Sequence, residues 1–381
     1  MIQRLLNLKS HLKKGKTLIL LGPRRAGKTT LMNDFLQKSS KKILAYDGTS
    51  IDTQELFSTP SLEKLKQIVG KTDILAIDEA QNIKNIGQSL KLINDHLPTT
   101  AVIATGSSAF EINGQIGEPL VGRKTTCYLF PFSAIEILNS QKTNAPELTL
   151  KYILNNLLVF GVYPDVINSA DKKSKKLFLR ELTDSLLLKD ILAYQEVKSS
   201  KILIDLLKLL AFQVGGEVSL SELGGVLGID RKTVNRYLDL LEKSYVIFQL
   251  RGYSRNLRKE INKKAKYFFY DLGVRNTIIN NFNNLDTRDD VGGLWENFCI
   301  LERMKIRSYK QIYANQYFWR TWRGQEIDLL EEKDGKIFAY EIKWNNKKAK
   351  NKLPSEWLAE YGETNFTTIT PENILGFLNK Y

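Results

Sequence analysis

The chain predicts an α/β fold built on a parallel sheet with helices on both faces, and three observations carry that prediction. Five short apolar runs, at 17–21, 42–46, 73–77, 101–104 and 127–130, are each bounded by turn or polar residues and followed by a helical pattern or a loop. Strands that alternate with helices close as a parallel sheet covered on both sides. Ligands gather at the carboxyl ends of such strands, and the polar residues of this stretch lie there.

The alternation stops near residue 140. From about 146 to 214 the pattern is helical (LKYILNNLL, KLFLRELTDSLLLKDILAY, KILIDLLKLLAF), and from 219 to 250 come a short helix, a tight turn, a second helix and a strand. Mixed strands and helices return from about 256. A chain of 381 residues is too long for one ordinary core. We therefore expect a core over 1–140, a helical lid over 141–200, a winged helix over 201–255 and a second α/β domain over 256–381.

Composition narrows the function classes. With 43% hydrophobic and 26% charged residues, the chain reads as soluble and globular. No apolar run reaches membrane-spanning length. The N-terminal stretch is interrupted by charges and lacks a signal-peptide cleavage pattern, so a cytoplasmic protein with no membrane partner is expected. Cys127 and Cys299 form neither a disulfide framework nor a zinc cluster, and two histidines argue against a histidine-based metal site or triad. Lys and Arg number 56 against 42 Asp and Glu, a formal net charge of +14. That excess fits a polyanionic partner, nucleic acid first with DNA as a candidate, or a plain lysine-rich surface.

The most informative motif is Gly22-Pro23-Arg24-Arg25-Ala26-Gly27-Lys28-Thr29, a full G-x-x-x-x-G-K-[ST] with a strand before it and a helix, opening through Thr30, after it. Glycines let backbone N–H groups turn inward around phosphates, and the helix aims its positive end at them. Lys28 reaches the β- and γ-phosphates, and the Thr29 hydroxyl ligates Mg²⁺. The run Asp73-Ile-Leu-Ala-Ile-Asp78-Glu79 supplies the second half. Asp78, at the end of an apolar strand, holds the metal, and Glu79 orients and activates the attacking water. The Asp-Glu pair, with no N-K-x-D guanine-reading motif, points to ATP. Ser107, at the end of AVIATG, is placed to bridge water and γ-phosphate, more so than Ser108. Arg123 is a candidate phosphate sensor in cis, a finger reaching a neighbouring subunit, or a plain surface arginine, so self-association is open.

The ordered set GPRRAGKT, LAIDEAQ, ATGSSA, LVGRK and Pro131-Phe132-Ser133 resembles a family of bacterial and archaeal AAA-type ATPases. Their C-terminal domain, of unknown function, is related to PD-(D/E)XK nucleases. The resemblance continues through Phe160-Gly161-Val162-Tyr163-Pro164, LLLKDIL at 186–192, KYFFYDLGVRN at 266–276 and WENF at 295–298. It implies that Gly161 and Pro164 are candidates to touch the adenine; a helix–helix turn is the alternative.

Ser219-Leu-Ser-Glu222 matches a capping box, Gly228-Ile229 makes a turn, and Asp230 caps RKTVNRYLDLLEKS. Val234, Leu238 and Leu241 share one helical face, while Arg231, Lys232, Asn235 and Arg236 lie mostly elsewhere, the layout of a helix-turn-helix. These four are candidate DNA contacts, or the module only packs against its neighbours. A basic wing follows with Arg251, Arg255, Arg258, Lys259, Lys263, Lys264 and Lys266.

Residues 326–343, EIDLLEEKDGKIFAYEIK, read as a hairpin turning at Asp334-Gly335. Counting outward pairs Lys333 with Lys336, Asp328 with Glu341 and Glu326 with Lys343. Opposed carboxylates repel unless something compensates, and a divalent cation would. The spacing resembles the Asp…Glu-x-Lys core of PD-(D/E)XK enzymes, without the proline before the aspartate. That resemblance implies metal-binding carboxylates at Asp328 and Glu341, a water-orienting Lys343 and a helix carboxylate at Glu296, with KKAK at 347–350 as a backbone guide. An exposed charged hairpin is the alternative. Together these signals imply an ATP- and Mg²⁺-dependent P-loop ATPase core with a helical lid, a winged helix and a PD-(D/E)XK nuclease-like α/β domain.

Overall fold

The computed structural model describes residues 2–107, 118–185, 199–254, 265–346 and 352–379. Ser108, the LLLKDIL segment, five basic residues of the expected wing (Arg255, Arg258, Lys259, Lys263, Lys264) and the KKAK run lie outside the described residues. The chain divides into two compact units, one of residues 3–132 with 243–245, the other of residues 133–242 and 246–381 with Ile2. No helix among the described residues is long and apolar enough to cross a membrane.

The first unit carries strands β1 (Thr17–Leu21), β2 (Ile43–Asp47), β3 (Ile74–Asp78), β4 (Ala101–Gly106) and β5 (Lys124–Tyr128). Its helices are α1 (Leu8–His11), α2 (Lys28–Gln37), α3 (Ile51–Ser58), α4 (Leu62–Val69) and α5 (Ile86–His96). The strands lie in the order β2-β3-β4-β1-β5, every pair parallel. The three inner strands are apolar almost throughout because helices cover both faces. Ile19, Leu21, Leu75, Ile77, Val102 and Ala104 pack with Phe57, Leu65 and Leu90 of the helices in one core. The last strand begins earlier than the apolar run at 127–130 implies. Thr17 N–H donates to the Arg123 carbonyl, which starts the ladder at Lys124, and an edge strand tolerates the half-exposed side chains found there.

The second unit opens with helices α6 (Ala134–Ser140), α7 (Pro146–Phe160), α8 (Pro164–Asn168), α9 (Lys172–Ser185) and α10 (Ser200–Phe212), as the helical periodicity predicts. There follow β6 (Glu217–Val218), α11 (Leu220–Leu227), α12 (Arg231–Lys243), β7 (Ile247–Gly252) and β8 (Ala265–Phe269). The remainder is α13 (Leu272–Ile278), α14 (Val291–Tyr309), β9 (Asn315–Arg320), β10 (Glu326–Lys333), β11 (Lys336–Ile342), α15 (Ser355–Tyr361), β12 (Asn365–Ile369) and α16 (Ile374–Asn379). The strands form one seven-stranded sheet in the order β12-β11-β10-β9-β7-β8-β6. The strands that flank α11 and α12 and the C-terminal strands therefore share a sheet, joined where β7 runs parallel beside β9, Arg251 opposite Tyr317.

Asp230 caps α12 as its position predicts, accepting the N–H groups of Lys232 at 2.8 Å and Thr233 at 3.0 Å. Val234, Leu238 and Leu241 are buried beneath it. In the hairpin, Lys333 stands opposite Lys336 and the ladder continues to Leu329 opposite Tyr340. A register shift between Ile327 and Leu330 on the β9 side kinks β10 just before the carboxylate-bearing end.

Asp271 explains two of the remaining motifs. It caps α13 by accepting the Val274 N–H at 3.0 Å and also accepts the Val162 N–H at 2.8 Å. Gly161 sits at φ +73°, and a Cβ there would collide with the Asp271 carboxylate. Asn276 donates to the Leu158 and Val159 carbonyls at the end of α7, at 3.0 and 2.8 Å. Gly161 and Pro164 thus form the turn between α7 and α8, with Pro164 opening the second helix. The FGVYP and YDLGVRN segments stitch that turn to α13, and the space a Gly161 side chain would take is filled by the Asp271 carboxylate.

Burial pushes the Asp271 carboxyl up to about 6 from 3.8. The folded state binds this proton more tightly than the unfolded state. Its contribution is therefore fully present below about pH 4, falls as pH rises, and levels off above about pH 6. Chemical unfolding of wild type against Asp271→Asn, which cannot titrate, is expected to show the difference in stability shifting against wild type across that window, by on the order of 3 kcal/mol. A pH-independent difference contradicts this account.

Candidate functional site

The N-terminal cradle forms where β1 ends. Gly22 leaves the strand at φ +148°, and a Cβ would collide with the Leu129 carbonyl oxygen, so only glycine allows these two segments to meet here. Arg25 at φ +58° and Gly27 at φ +95° turn the loop back into α2. The helix starts at Lys28, which directs its unsatisfied N–H groups into the loop. Arg4 braces the loop from behind, donating to the carbonyls of Ala26 at 2.7 Å and Phe130 at 2.6 Å. Lys28 is buried, and its Nζ donates to the Gly22 and Pro23 carbonyls at 2.9 and 2.8 Å. The ammonium therefore lies within the bend of the loop. Arg24, Arg25, Thr29 and Thr30 are exposed around it.

The structure brings Thr29, Asp78, Glu79 and Ser107 to the same end of the sheet. Thr29 Oγ1 donates to Asp78 Oδ2 at 2.7 Å, and the Thr105 hydroxyl donates to the other Asp78 oxygen. Thr105 Oγ1 also accepts the Glu79 N–H at 3.0 Å. Glu79 is left-handed at φ +47°, a conformation that costs energy in a non-glycine residue and that its surroundings must hold. Its carboxylate accepts from the Gln81 side-chain amide, whose oxygen accepts the Ser107 N–H at 3.4 Å. The Ser107 hydroxyl is buried with no hydrogen-bond partner among the described residues. A hydroxyl and a carboxylate side by side are hard oxygen donors of the kind Mg²⁺ takes from protein, one or two at a time beside phosphate oxygens, so Thr29 and Asp78 fit that ion.

Arg123 is not part of this group. Its carbonyl pairs with Thr17 at the start of β1, and the P-loop leaves from the other end, Leu21, about 13 Å along the strand. The guanidinium is engaged by Asp95, Nε to Oδ1 at 2.5 Å, and this pairing holds the Asp95 carboxyl below its ordinary range. A role for Arg123 at the phosphates of its own chain is therefore corrected by strand direction. Thr105, Gln81 and Arg4 are the participants that sequence reasoning missed. Thr105 is signalled only as a polar residue in an otherwise apolar strand, Gln81 by its place two residues after Glu79, and Arg4 by nothing local.

On α12, Arg231, Lys232 and Asn235 are exposed. Arg236 is half-buried, with its guanidinium 5.7 Å from the Tyr237 ring centroid and its Nε without a hydrogen-bond partner among the described residues.

The C-terminal carboxylates assemble around two lysines. Lys343 Nζ lies 2.7 Å from Glu341 and 3.3 Å from Asp328, and Asp328 also accepts the Ile342 N–H at 2.7 Å. Lys266 Nζ lies 2.8 Å from Glu296 and 2.5 Å from Glu326. Two expectations change. Glu326 pairs with Lys266, and across the sheet with Arg320 of β9, rather than with Lys343, because the β10–β11 ladder ends at Leu329. Lys266 is 1% exposed and belongs to this cluster, not to a basic wing. Burial works against its charge, but Glu296, Glu326 and Asp328 overcome that and hold its pKa above the ordinary lysine value. Burial pushes the Glu296 carboxyl up to about 7 despite Lys266. Among the described residues no group of three acidic, histidine or cysteine side chains is placed to hold a metal ion. The lysines supply part of the compensating charge that the hairpin spacing implied a cation would. Asp328, Glu341 and Lys343 floor a cavity of about 820 Å³, walled by Arg323, Gln325 and Lys352.

Comparison with known proteins bears on the first unit directly. Residues 14–138 match the family model described as "AAA domain". The match supports an AAA-type ATPase and the nucleotide binding of that class. Residues 151–285 and 291–366 match two models described as domains of unknown function, DUF8612 and DUF4143. An uncharacterized protein of Haemophilus influenzae is 28% identical over 273 residues, 68% of each chain. Another, of Mycobacterium tuberculosis, is 24% identical over 340 residues, 88% of this chain and 72% of that one. Among solved structures, a signal-transduction ATPase with a tetratricopeptide repeat sensor from Pyrococcus horikoshii aligns at 14% identity and a TM-score of 0.28, over 79% of this chain and 46% of that one.

Lys266→Met leaves Glu296 buried without its counter-ion. Breaking a buried pair from one side costs about 3–5 kcal/mol, so a marked fall in melting temperature is expected by calorimetry. An unchanged melting temperature contradicts the pairing.

Proposed function

We propose that the protein binds and hydrolyses ATP with Mg²⁺ and couples its nucleotide state to a DNA-associated C-terminal module. The observation that carries the first half is the contact of Thr29 with Asp78 at 2.7 Å beside the buried Lys28. Lys28 exchanges the Gly22 and Pro23 carbonyls for β- and γ-phosphate oxygens. The loop N–H groups and the start of α2 hold the rest of the phosphate chain. Thr29 and Asp78 hold the metal, which when bound neutralises charge developing on the phosphate oxygens. Glu79, released from Gln81, takes a proton from the attacking water. The Ser107 hydroxyl finds its missing partner in that water or in the γ-phosphate.

The second half rests on three features. These are the net charge of +14, the exposed Arg231, Lys232 and Asn235, and the antiparallel β7–β8 pair after the helix-turn-helix, the layout of a winged helix. Residues 141–200 serve as a helical lid and 256–381 as a nuclease-like domain. The lysine-paired carboxylates favour a second reading of that last domain. In it, the ATPase acts as a switch, and the C-terminal domain binds partners without cutting nucleic acid.

Lys28→Ala is expected to abolish ATP binding, whereas Glu79→Gln keeps binding and loses turnover; normal turnover in either variant refutes the site. For the C-terminal domain, Mg²⁺-dependent nicking of plasmid DNA that disappears in Asp328→Ala supports cleavage. Intact ATP turnover with no nicking under any condition supports the switch.

A further inference from the structure

The turn between β9 and β10 carries the most exposed large aromatic of the described residues. Trp322 is 105% exposed, while Trp295, Trp319 and Trp357 are all buried. The turn is built to stay put. Thr321 N–H donates to the Gln325 carbonyl at 2.9 Å and Gly324 N–H to the Thr321 carbonyl at 3.1 Å. The Gln325 side chain then moors it to the first turn of α15. Its amide nitrogen donates to Ser355 Oγ at 3.1 Å, and its amide oxygen accepts the Glu356 N–H at 3.1 Å.

A single exposed apolar side chain is ordinary on a protein surface; the charges around this one are not. Arg320 and Arg323 flank Trp322 in the chain, and Arg323 and Lys352 line the cavity beside it. Neither Arg323 nor Lys352 has a carboxylate partner among the described residues. The carboxylates of the cluster are engaged instead by Lys266 and Lys343, each bridging two of them. The cavity wall next to the protruding indole therefore presents two exposed cations that no salt bridge among the described residues holds back.

We propose that this turn is a base-stacking platform for single-stranded nucleic acid, with Trp322 stacking on an unpaired base and Arg323 and Lys352 holding the adjoining phosphates. Stacking on aromatic side chains and tracking of the backbone by cations are the two elements of sequence-tolerant single-strand binding. A duplex hides its base faces from a protruding ring, so the platform selects against paired strands. The inference rests on the DNA-associated reading above and adds to it a substrate class and a place.

The test uses the full chain. Fluorescence anisotropy measures binding of a labelled oligothymidylate and of a duplex of equal length, for wild type, Trp322→Ala, Trp322→Phe and Arg323→Glu. Wild type is expected to prefer the single strand, and binding to quench the exposed tryptophan. Trp322→Ala is expected to lose about tenfold in affinity and the quenching, with its melting temperature and ATP turnover unchanged. Trp322→Phe keeps most of the affinity, and Arg323→Glu weakens it. Single-strand affinity unchanged in Trp322→Ala, or a preference for duplex, overturns the platform while leaving the DNA-associated reading intact. No binding of either DNA by wild type removes both.

Discussion

The first unit depends on a chain of two hydroxyls and one carboxylate. Thr29, at the start of α2, and Thr105, near the end of β4, both donate to Asp78 at the end of β3. Thr105 also receives the backbone N–H of Glu79. These contacts bring the P-loop helix and two strand ends into one polar cluster above an apolar sheet. A carboxylate at such a place needs donors or a cation, and it has donors on both oxygens. The parallel sheet makes the cluster possible, because all five strands end on the same side and only there can P-loop, Asp78 and Ser107 meet.

The second unit solves a similar problem by burying charge in stitched pairs. Asp271 ties the α7–α8 turn to α13 through two backbone N–H groups. Arg303 and Glu331 meet with neither exposed, at 2.8 Å. Lys266 holds two carboxylates from different elements, α14 and β10. Such pairs cost solvation, and removing one partner leaves an uncompensated charge inside the protein. They give the unit a definite arrangement of helices on its sheet rather than a large margin of stability.

The lysine pairing also bears on what the C-terminal carboxylates do. Four acidic side chains share two ammonium groups, so each ammonium bridges two carboxylates and the cluster keeps an excess of negative charge. A metal would have to displace Lys343 from Asp328 and Glu341. Arg323 and Lys352 lie outward, exposed at the rim of the cavity. The two buried or half-buried lysines are held within the cluster, and the two cations at the mouth of the cavity are left to meet a partner.

Local spacing alone determined the cradle, the strand that delivers Asp78, the cap at Asp230 and the turn of the β10–β11 hairpin. In each case residues a few positions apart meet through backbone geometry that the sequence period dictates. Tertiary structure decided the rest. Nothing near Thr105 or Arg4 in the sequence says that one will bridge Asp78 and Glu79 or that the other will brace the loop, because both contacts cross strands distant along the chain. Strand direction, not the motif around it, put Arg123 at the far end of the sheet from the P-loop. Lys266 reads as part of a basic wing in the sequence, but the pairing of β8 beside β7 buries its side chain against α14 and β10. A charged residue's spacing tells what it resembles, but its partner is chosen by whichever opposite charge the folded chain brings within reach before water does.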